Sequence, residues 1–234
     1  MIIAIHQPQY LPWLGYFDKV ERSDFFVFLD DVQFKKNEWQ NRNRIKTAQG
    51  GNNEGPSQGW QWITVPVLHK FGQKINEVKI DNGENWSRKH LNALETNYTK
   101  APYFTEHCDF LKESYGKEWD NLSELNIYFV EYLMKALGIK TPLIKSSTLK
   151  VCGEKTDRLV NICKVLKGDT YLSGVGAKDY LEAEKFERQG LKVIFQDFHH
   201  PVYPQLYGEF IPNLSAVDLL FNCGSESLKI IRGR

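Results

Sequence analysis

His6 and Gln7 close the apolar run Met1-Ile2-Ile3-Ala4-Ile5 and open onto a segment carrying Pro8, Tyr10, Pro12, Trp13 and Tyr16. An imidazole titrates close to physiological pH, so a histidine at the end of a buried strand is suited to proton transfer or to contact with a phosphate. The two prolines stiffen the backbone and leave Gln7, Tyr10 and Trp13 little entropy to lose on binding. The plainer alternative is a histidine that hydrogen-bonds a neighbouring carbonyl and fixes the turn. A second pair of histidines, His199-His200, precedes Pro201, Tyr203 and Gln205, and is read as a pocket wall with one functional imidazole. His6, Gln7 and His200 are the catalytic candidates.

Three further clusters could bind a substrate. Asp30-Asp31-Val32-Gln33-Phe34-Lys35 places carboxylates, an amide and an ammonium after an apolar run. Adjacent side chains at a strand end point opposite ways, so at most one of Asp30 and Asp31 is expected to face a pocket. Either carboxylate would suit magnesium, although the spacing is not specific for a metal. Trp39-Gln40-Asn41-Arg42-Asn43-Arg44 crowds indole, amide and guanidinium groups, a combination that recognises anions through Arg and stacks on sugars or bases through Trp. Ser173-Gly174-Val175-Gly176-Ala177-Lys178 joins a strand end to a Gly-containing turn, where backbone amides attract anions and Lys178 adds a positive charge. It lacks the P-loop pattern, and a purely structural turn is an equal reading. Asp218 is expected to support the start of the last long helix rather than to orient a histidine.

The elements that must hold these groups follow from periodicity. The opening run reads as a strand, Leu14–Ser23 as a helix and Asp24–Asp31 as a second strand, a βαβ unit and hence a parallel sheet. Residues 48–59 have the composition of a flexible loop. Trp60–Val67 reads as a strand with Pro66 at its edge or end, with residues around Lys79-Ile80 as its partner. Helical spacing runs over Trp86–Tyr98 and again from Tyr103 to Leu137, with Gly138 as a C-cap. A strand at Ile144–Ser147, a helix at Thr156–Leu166, a strand at Thr170–Gly174, a helix at Lys178–Gln189 and a strand at Leu191–Phe195 resume the alternation. Ser215 and Gly224 bracket a last apolar helix. The expectation is a single α/β domain over residues 1–234, with a mostly parallel Rossmann-like sheet, helices on both faces and a mainly helical insertion at about 86–138.

Composition narrows the function classes. The 234 residues carry 30 Lys and Arg against 29 Asp and Glu, a net charge of +1, so no global field recruits DNA or an acidic membrane. Single-stranded nucleic acid is a minor alternative resting on the Trp and Arg cluster alone. No window approaches the roughly 18 apolar residues of a membrane helix, and no basic segment precedes a long apolar one, so a cytoplasmic location without membrane insertion is expected. Cys108, Cys152, Cys163 and Cys223 lack paired spacing and are read as reduced, mostly buried thiols.

The patterns H-Q-P-Q-Y-L-P-W-x-G-Y at His6–Tyr16, F-L-D-D-V-Q-F-x-K at Phe28–Lys36 and W-x-N-R-N at Trp39–Asn43 resemble the WbqC-like protein family. The match continues through T-V-P-V at Thr64–Val67, Y-L-S-G at Tyr171–Gly174, H-P-x-Y-x-Q at His200–Gln205 and the terminal L-S-x-x-D-L-L-F-N-x-G stretch. The Gly- and Asn-rich stretch from Gln49 to Gln58 departs from it. The resemblance implies a role in bacterial O-antigen or related surface-sugar biosynthesis, with transfer of a glycyl or other acyl group to the amine of an amino sugar or nucleotide-linked amino sugar. A carrier protein or tRNA is then an expected acyl donor. At the level of analogy, the opening is also similar to nucleotidyltransferase-like α/β folds, which implies ATP with magnesium as activating cofactor, His6 and Lys178 on phosphate, and Arg42 on an anion. The competing functions are a non-catalytic nucleotide-sugar binding module and a nucleotidyltransferase. Neither the cofactor nor the assembly follows from the residues, a homodimer being among the options.

Overall fold

A computed structural model describes residues 1–48, 59–179 and 181–233; the expected flexible loop falls, apart from its end residues, outside the described residues. The chain opens with β1 (Ile2–His6), α1 (Leu14–Glu21) and β2 (Phe25–Phe28), then forms two antiparallel pairs, β3 (Arg42–Lys46) with β4 (Trp60–Thr64) and β5 (Val67–Leu68) with β6 (Lys79–Ile80). Three helices follow, α2 (Trp86–Tyr98), α3 (Cys108–Gly116) and α4 (Leu122–Leu137). Then come β7 (Leu143–Lys145), α5 (Lys155–Val165), β8 (Thr170–Ser173), α6 (Ala183–Glu187), β9 (Lys192–Phe195), α7 (Ala216–Cys223) and α8 (Ser227–Ile231).

Five of these strands make an all-parallel sheet in the order β7-β2-β1-β8-β9, the α/β Rossmann-like architecture expected from the alternation. The chain walks outward from β1 through β2 to β7, then returns to the other side of β1 for β8 and β9. The reversal lies between β1 and β8. Strand alternation sends Ala4, Phe26, Phe28 and Leu172 into the larger core, shared with Phe17 of α1, Phe129 of α4 and Phe221 of α7. Ile3, Ile5, Val27 and Tyr171 face the opposite way, onto Val160 and Ile162 of α5 and onto Phe186 of α6. Both faces are therefore covered, which is why β1 and β2 read as continuous apolar runs.

Several elements differ from the periodicity. The strand expected over Trp60–Val67 stops at Thr64 and resumes at Val67, because Pro66 cannot donate to a ladder; its carbonyl instead accepts from Asp81 N at 2.9 Å. The helical stretch from Tyr103 is a 3₁₀ turn followed by α3 and α4, separated by an extended Lys117. The helix expected from Lys178 to Gln189 is confined to Ala183–Glu187, since a 3₁₀ turn takes Val175–Ala177 and the Glu182 amide is captured by Thr156 Oγ1 at 3.3 Å. Gly138 takes a left-handed φ of +78° at the end of α4, the conformation a glycine C-cap supplies. Of the four thiols, Cys163 and Cys223 are buried, Cys108 is half-buried and Cys152 is exposed, all unpaired. Among the described residues no helix is long and apolar enough to cross a membrane.

Candidate functional site

The carboxyl ends of β1 and β8 diverge at the reversal and open a crevice of about 770 Å³, within the range of small-molecule sites. Its walls come from three elements. β1 contributes Ile5, His6 and Gln7; β8 and its turn contribute Tyr171, Ser173, Gly174, Gly176 and Ala177; the start of α5 contributes Lys155, Thr156, Arg158 and Leu159. Lys19 of α1 and Glu182 complete the charged lining.

His6 lies with its ring edge-on to Tyr16, centroids 5.0 Å apart, and its Nδ1 is 3.1 Å from the Gln7 carbonyl oxygen. Nδ1 therefore carries the proton and donates, leaving Nε2 as an acceptor. Burial, with the nearby Lys19 charge, pushes the imidazole down to about 3, so His6 is neutral at physiological pH. An imidazole held that low is a weak proton acceptor, and its role is that of a neutral hydrogen-bonding group. Gln40 Nε2 donates to Gln7 Oε1 at 2.8 Å, while Gln40 Oε1 accepts from Lys35 N. The Gln7 amide is thereby oriented with its NH₂ left as the donor end. Gln40 is a buried positioning residue that sequence reasoning passed over in favour of its indole and guanidinium neighbours.

Lys19 is the group the sequence did not single out. It is only 3% exposed, its Nζ donates to the Ile5 carbonyl at 2.8 Å, and burial pushes it down to about 7. Its ammonium form has no carboxylate partner among the ion pairs of the described residues. Tyr171 presents its ring 6.0 Å away.

The start of α5 is the second cationic wall. Glu154 at the N-cap makes no side-chain cap, so first-turn amides are left without intrahelical partners at the positive end of an 11-residue helix. Lys155 begins that helix with φ +48°, a left-handed conformation disfavoured for a side chain of its size. Arg158 is clamped, donating to the Val151 carbonyl at 2.8 Å and pairing with Asp31. Asp30 is engaged as an acceptor, receiving Ser146 Oγ, Ser147 N and Ser147 Oγ at 3.1, 3.0 and 2.7 Å. The two carboxylates thus tie the end of β2 to the turn that leads into α5. They act on the crevice through Arg158 and do not line it. Glu182, the one carboxylate among the lining residues, is paired with Lys185.

The remaining candidates lie elsewhere. Tyr10 is fully buried, hydrogen-bonded to His90 Nδ1 at 2.8 Å and to Tyr115 OH at 2.6 Å. Trp13 packs edge-on to Phe198 at 5.5 Å and lies so close over Gly15 that a Cβ there would sit 2.3 Å from the indole. Gln33 pairs with Lys74, and the Lys35 side chain is exposed. Asn41 is consumed by Val65 O and Asn37 N. Arg42 stacks over Trp62 at 4.2 Å, Trp62 meets Trp39 at 5.6 Å, and Arg44 donates to Asn213 O, a cluster joined to the C-terminal segment. Lys178 lies 5.5 Å over the Phe195 ring.

His200 Nε2 accepts from Asn213 N at 3.1 Å and its Nδ1 meets Pro201 O at 2.8 Å, which fixes its tautomer and occupies both nitrogens. Gln205 holds Lys46 Nζ at 3.0 Å, and Tyr203 is buried beside it. Asp218 is buried, accepts from Tyr98 OH at 2.8 Å and is pushed up to about 6 by desolvation. Its side chain serves tyrosines rather than a histidine. The crevice therefore unites His6, Gln7, Ser173 and Gly174, and its lining includes none of Trp39, Arg42, Lys178, His200, Tyr203 or Gln205. Among the described residues no three His, Cys, Asp or Glu side chains gather as a metal site.

A parallel α/β protein with a largely apolar crevice at its strand-order reversal, carrying a few polar and cationic groups, is the class that fold and site define. The chain belongs to the WbqC-like protein family, which matches residues 7–230. It is 42% identical over 234 residues to the uncharacterized protein Rv1507c of Mycobacterium tuberculosis (strain ATCC 25618 / H37Rv), with 98% of this chain and 97% of that protein covered. No solved structure matches the chain.

Proposed function

We propose that the protein is a transferase that joins a small acyl group, such as glycyl, to the amine of an amino sugar or nucleotide-linked amino sugar for a bacterial surface polysaccharide. The observation that carries this reading is the crevice itself, where the neutral groups of His6, Gln7 and Ser173 share the lining with the cation Lys155 and the start of α5. A sugar diphosphate matches that cation and helix start in charge. The neutral edge beside His6, Gln7 and Ser173 suits the uncharged partners of an acyl transfer.

In this reaction the sugar nitrogen attacks the acyl carbonyl and a C–N bond forms. The bond to the donor's leaving oxygen or sulfur breaks, and the proton lost by nitrogen leaves with that group. In this reading Gln7 NH₂ donates to the developing oxyanion, and neutral His6 accepts a hydrogen bond from the attacking amine through Nε2. The donor is an acyl-CoA, a carrier-protein thioester, a glycyl-tRNA, or an acyl-adenylate made from ATP. Purified protein incubated with a nucleotide-linked amino sugar and each donor in turn is expected to give a product heavier by one acyl group in mass spectrometry. No amide with any of the four overturns the reading.

A further inference from the structure

We propose that Lys19, buried in the lining of the crevice, is the receptor for an oxyanion of the ligand, a phosphate group of a nucleotide-linked sugar, and that it takes up a proton as the phosphate arrives. This deepens the reading above and rests on the crevice being the ligand site.

The geometry is that of a buried amine in the lining of the crevice. Lys19 Nζ is buried on the crevice floor, anchored by one backbone carbonyl at 2.8 Å. An ammonium group there without an opposite charge is costly, which lowers Lys19 to about 7, and an arriving counter-charge favours the charged form. Among the described residues no carboxylate forms an ion pair with Lys19. His6 on β1 is neutral, Arg158 on α5 is spent on Asp31, Lys155 is a further cation, and Glu182 is paired with Lys185. Tyr171 on β8 offers its ring. On α1 itself, Asp18 is engaged by Gln196 Nε2 at 2.7 Å and by Arg22. A phosphate provides what the protein withholds, two or more oxygens with negative charge, and makes the charged amine the stable form. Burial alone already brings Lys19 down to about 7, so the proton is available near neutrality.

The test is calorimetric titration with UDP-N-acetylglucosamine, whose diphosphate diester does not titrate near neutrality, and separately with sulfate as a bare oxyanion. Each is run in two buffers of different ionisation enthalpy, which counts the protons exchanged. At about pH 8 the wild-type protein is expected to take up roughly 0.9 proton per ligand, falling towards zero at about pH 6, where Lys19 is already charged. Lys19→Met and Lys19→Gln are expected to remove the uptake and to weaken binding roughly ten- to a hundredfold. Uptake with the nucleotide sugar but not with sulfate identifies the sugar diphosphate as the source of the anion. Binding without uptake, or uptake that survives in both variants, overturns the role of Lys19 and leaves the transferase reading to its own assay. Absence of binding by both probes overturns the receptor whatever the amide assay returns.

Discussion

At the scale of single residues, the side chains that matter most are those whose ordinary charge is suppressed. Lys19 in the folded protein releases its proton at about 7 rather than 10.5. Between those values the unfolded chain holds a proton that the folded one lacks, so stability rises with pH across that window. At a lower pH the folded protein must carry a buried charge. Lys19→Met is therefore expected to be more stable than wild type by several kcal/mol at about pH 6, since each tenfold loss of proton affinity on folding costs about 1.4 kcal/mol, and to lose the alkaline rise. Urea denaturation over a pH series checks this; identical pH profiles for the two proteins contradict it. His6, held at about 3 against an ordinary 6.5, acts in the same direction on the acid side, where stability is lost as pH falls through that interval. His6→Asn is expected to shallow the acid loss, again by denaturation. His6 and Gln7 were legible in the sequence because polar residues directly after an apolar run must sit at a strand end. Lys19 was not, because on an eight-residue helix an isolated lysine reads as a solvated face, and only the sheet above it removes the water.

At the scale of elements, the crevice depends on how the end of β2 is tied to the turn before α5. Asp30 accepts three hydrogen bonds from Ser146 and Ser147, and Asp31 holds Arg158 and Ser146. Asp30→Ala takes the acceptor from the Ser147 amide and hydroxyl while Ser146 keeps Asp31, and is expected to cost about 1 kcal/mol by chemical denaturation. Asp31→Ala releases Arg158 from its ion pair and is expected to weaken nucleotide-sugar binding several-fold; full affinity contradicts the linkage. Ser215 caps α7 by accepting from Val217 N at 3.4 Å, and Ser215→Ala is expected to lower stability by about 1 kcal/mol, again read by denaturation. Most elements could be read from periodicity, among them α2 over Trp86–Tyr98 and the cap residues of α7; the expected partnership of Trp60–Val67 with Lys79-Ile80 holds only at Val67, because Trp60–Thr64 pairs with β3, which the sequence did not mark as a strand. The helix expected from Lys178 could not. Ala177, Leu181 and Phe186 have near-helical spacing, but that spacing serves a loop whose amide at Glu182 is taken by Thr156 from another helix. A partner so distant in sequence leaves no local trace.

At the scale of the whole molecule, the helices between β6 and β7 and the sheet share one core. Ala4 and Phe26 of the sheet belong to the same buried cluster as Ile45, Leu94, Phe129 and Phe221. The chain is expected to unfold in one transition with equal calorimetric and van't Hoff enthalpies; two resolved transitions contradict a single cooperative unit. This long-range packing also explains what the sequence misallocated. β3, which carries Arg42 and Arg44, meets the C-terminal segment through Arg44 with Asn213 and Lys46 with Gln205, beside α7 and not over the crevice. Composition showed that the Trp39–Arg44 and His200–Gln205 segments were polar and aromatic, and only the pairing of β3 with the C-terminal segment determines where they go. The central claim, that the β1–β8 crevice is the ligand site, is tested most directly by a crystal structure of the protein with a nucleotide-linked amino sugar. The account predicts density for the diphosphate between Lys19 and the start of α5 with the sugar beside His6, Gln7 and Ser173; a ligand seated on the Trp39–Trp62 cluster with the crevice empty would contradict it.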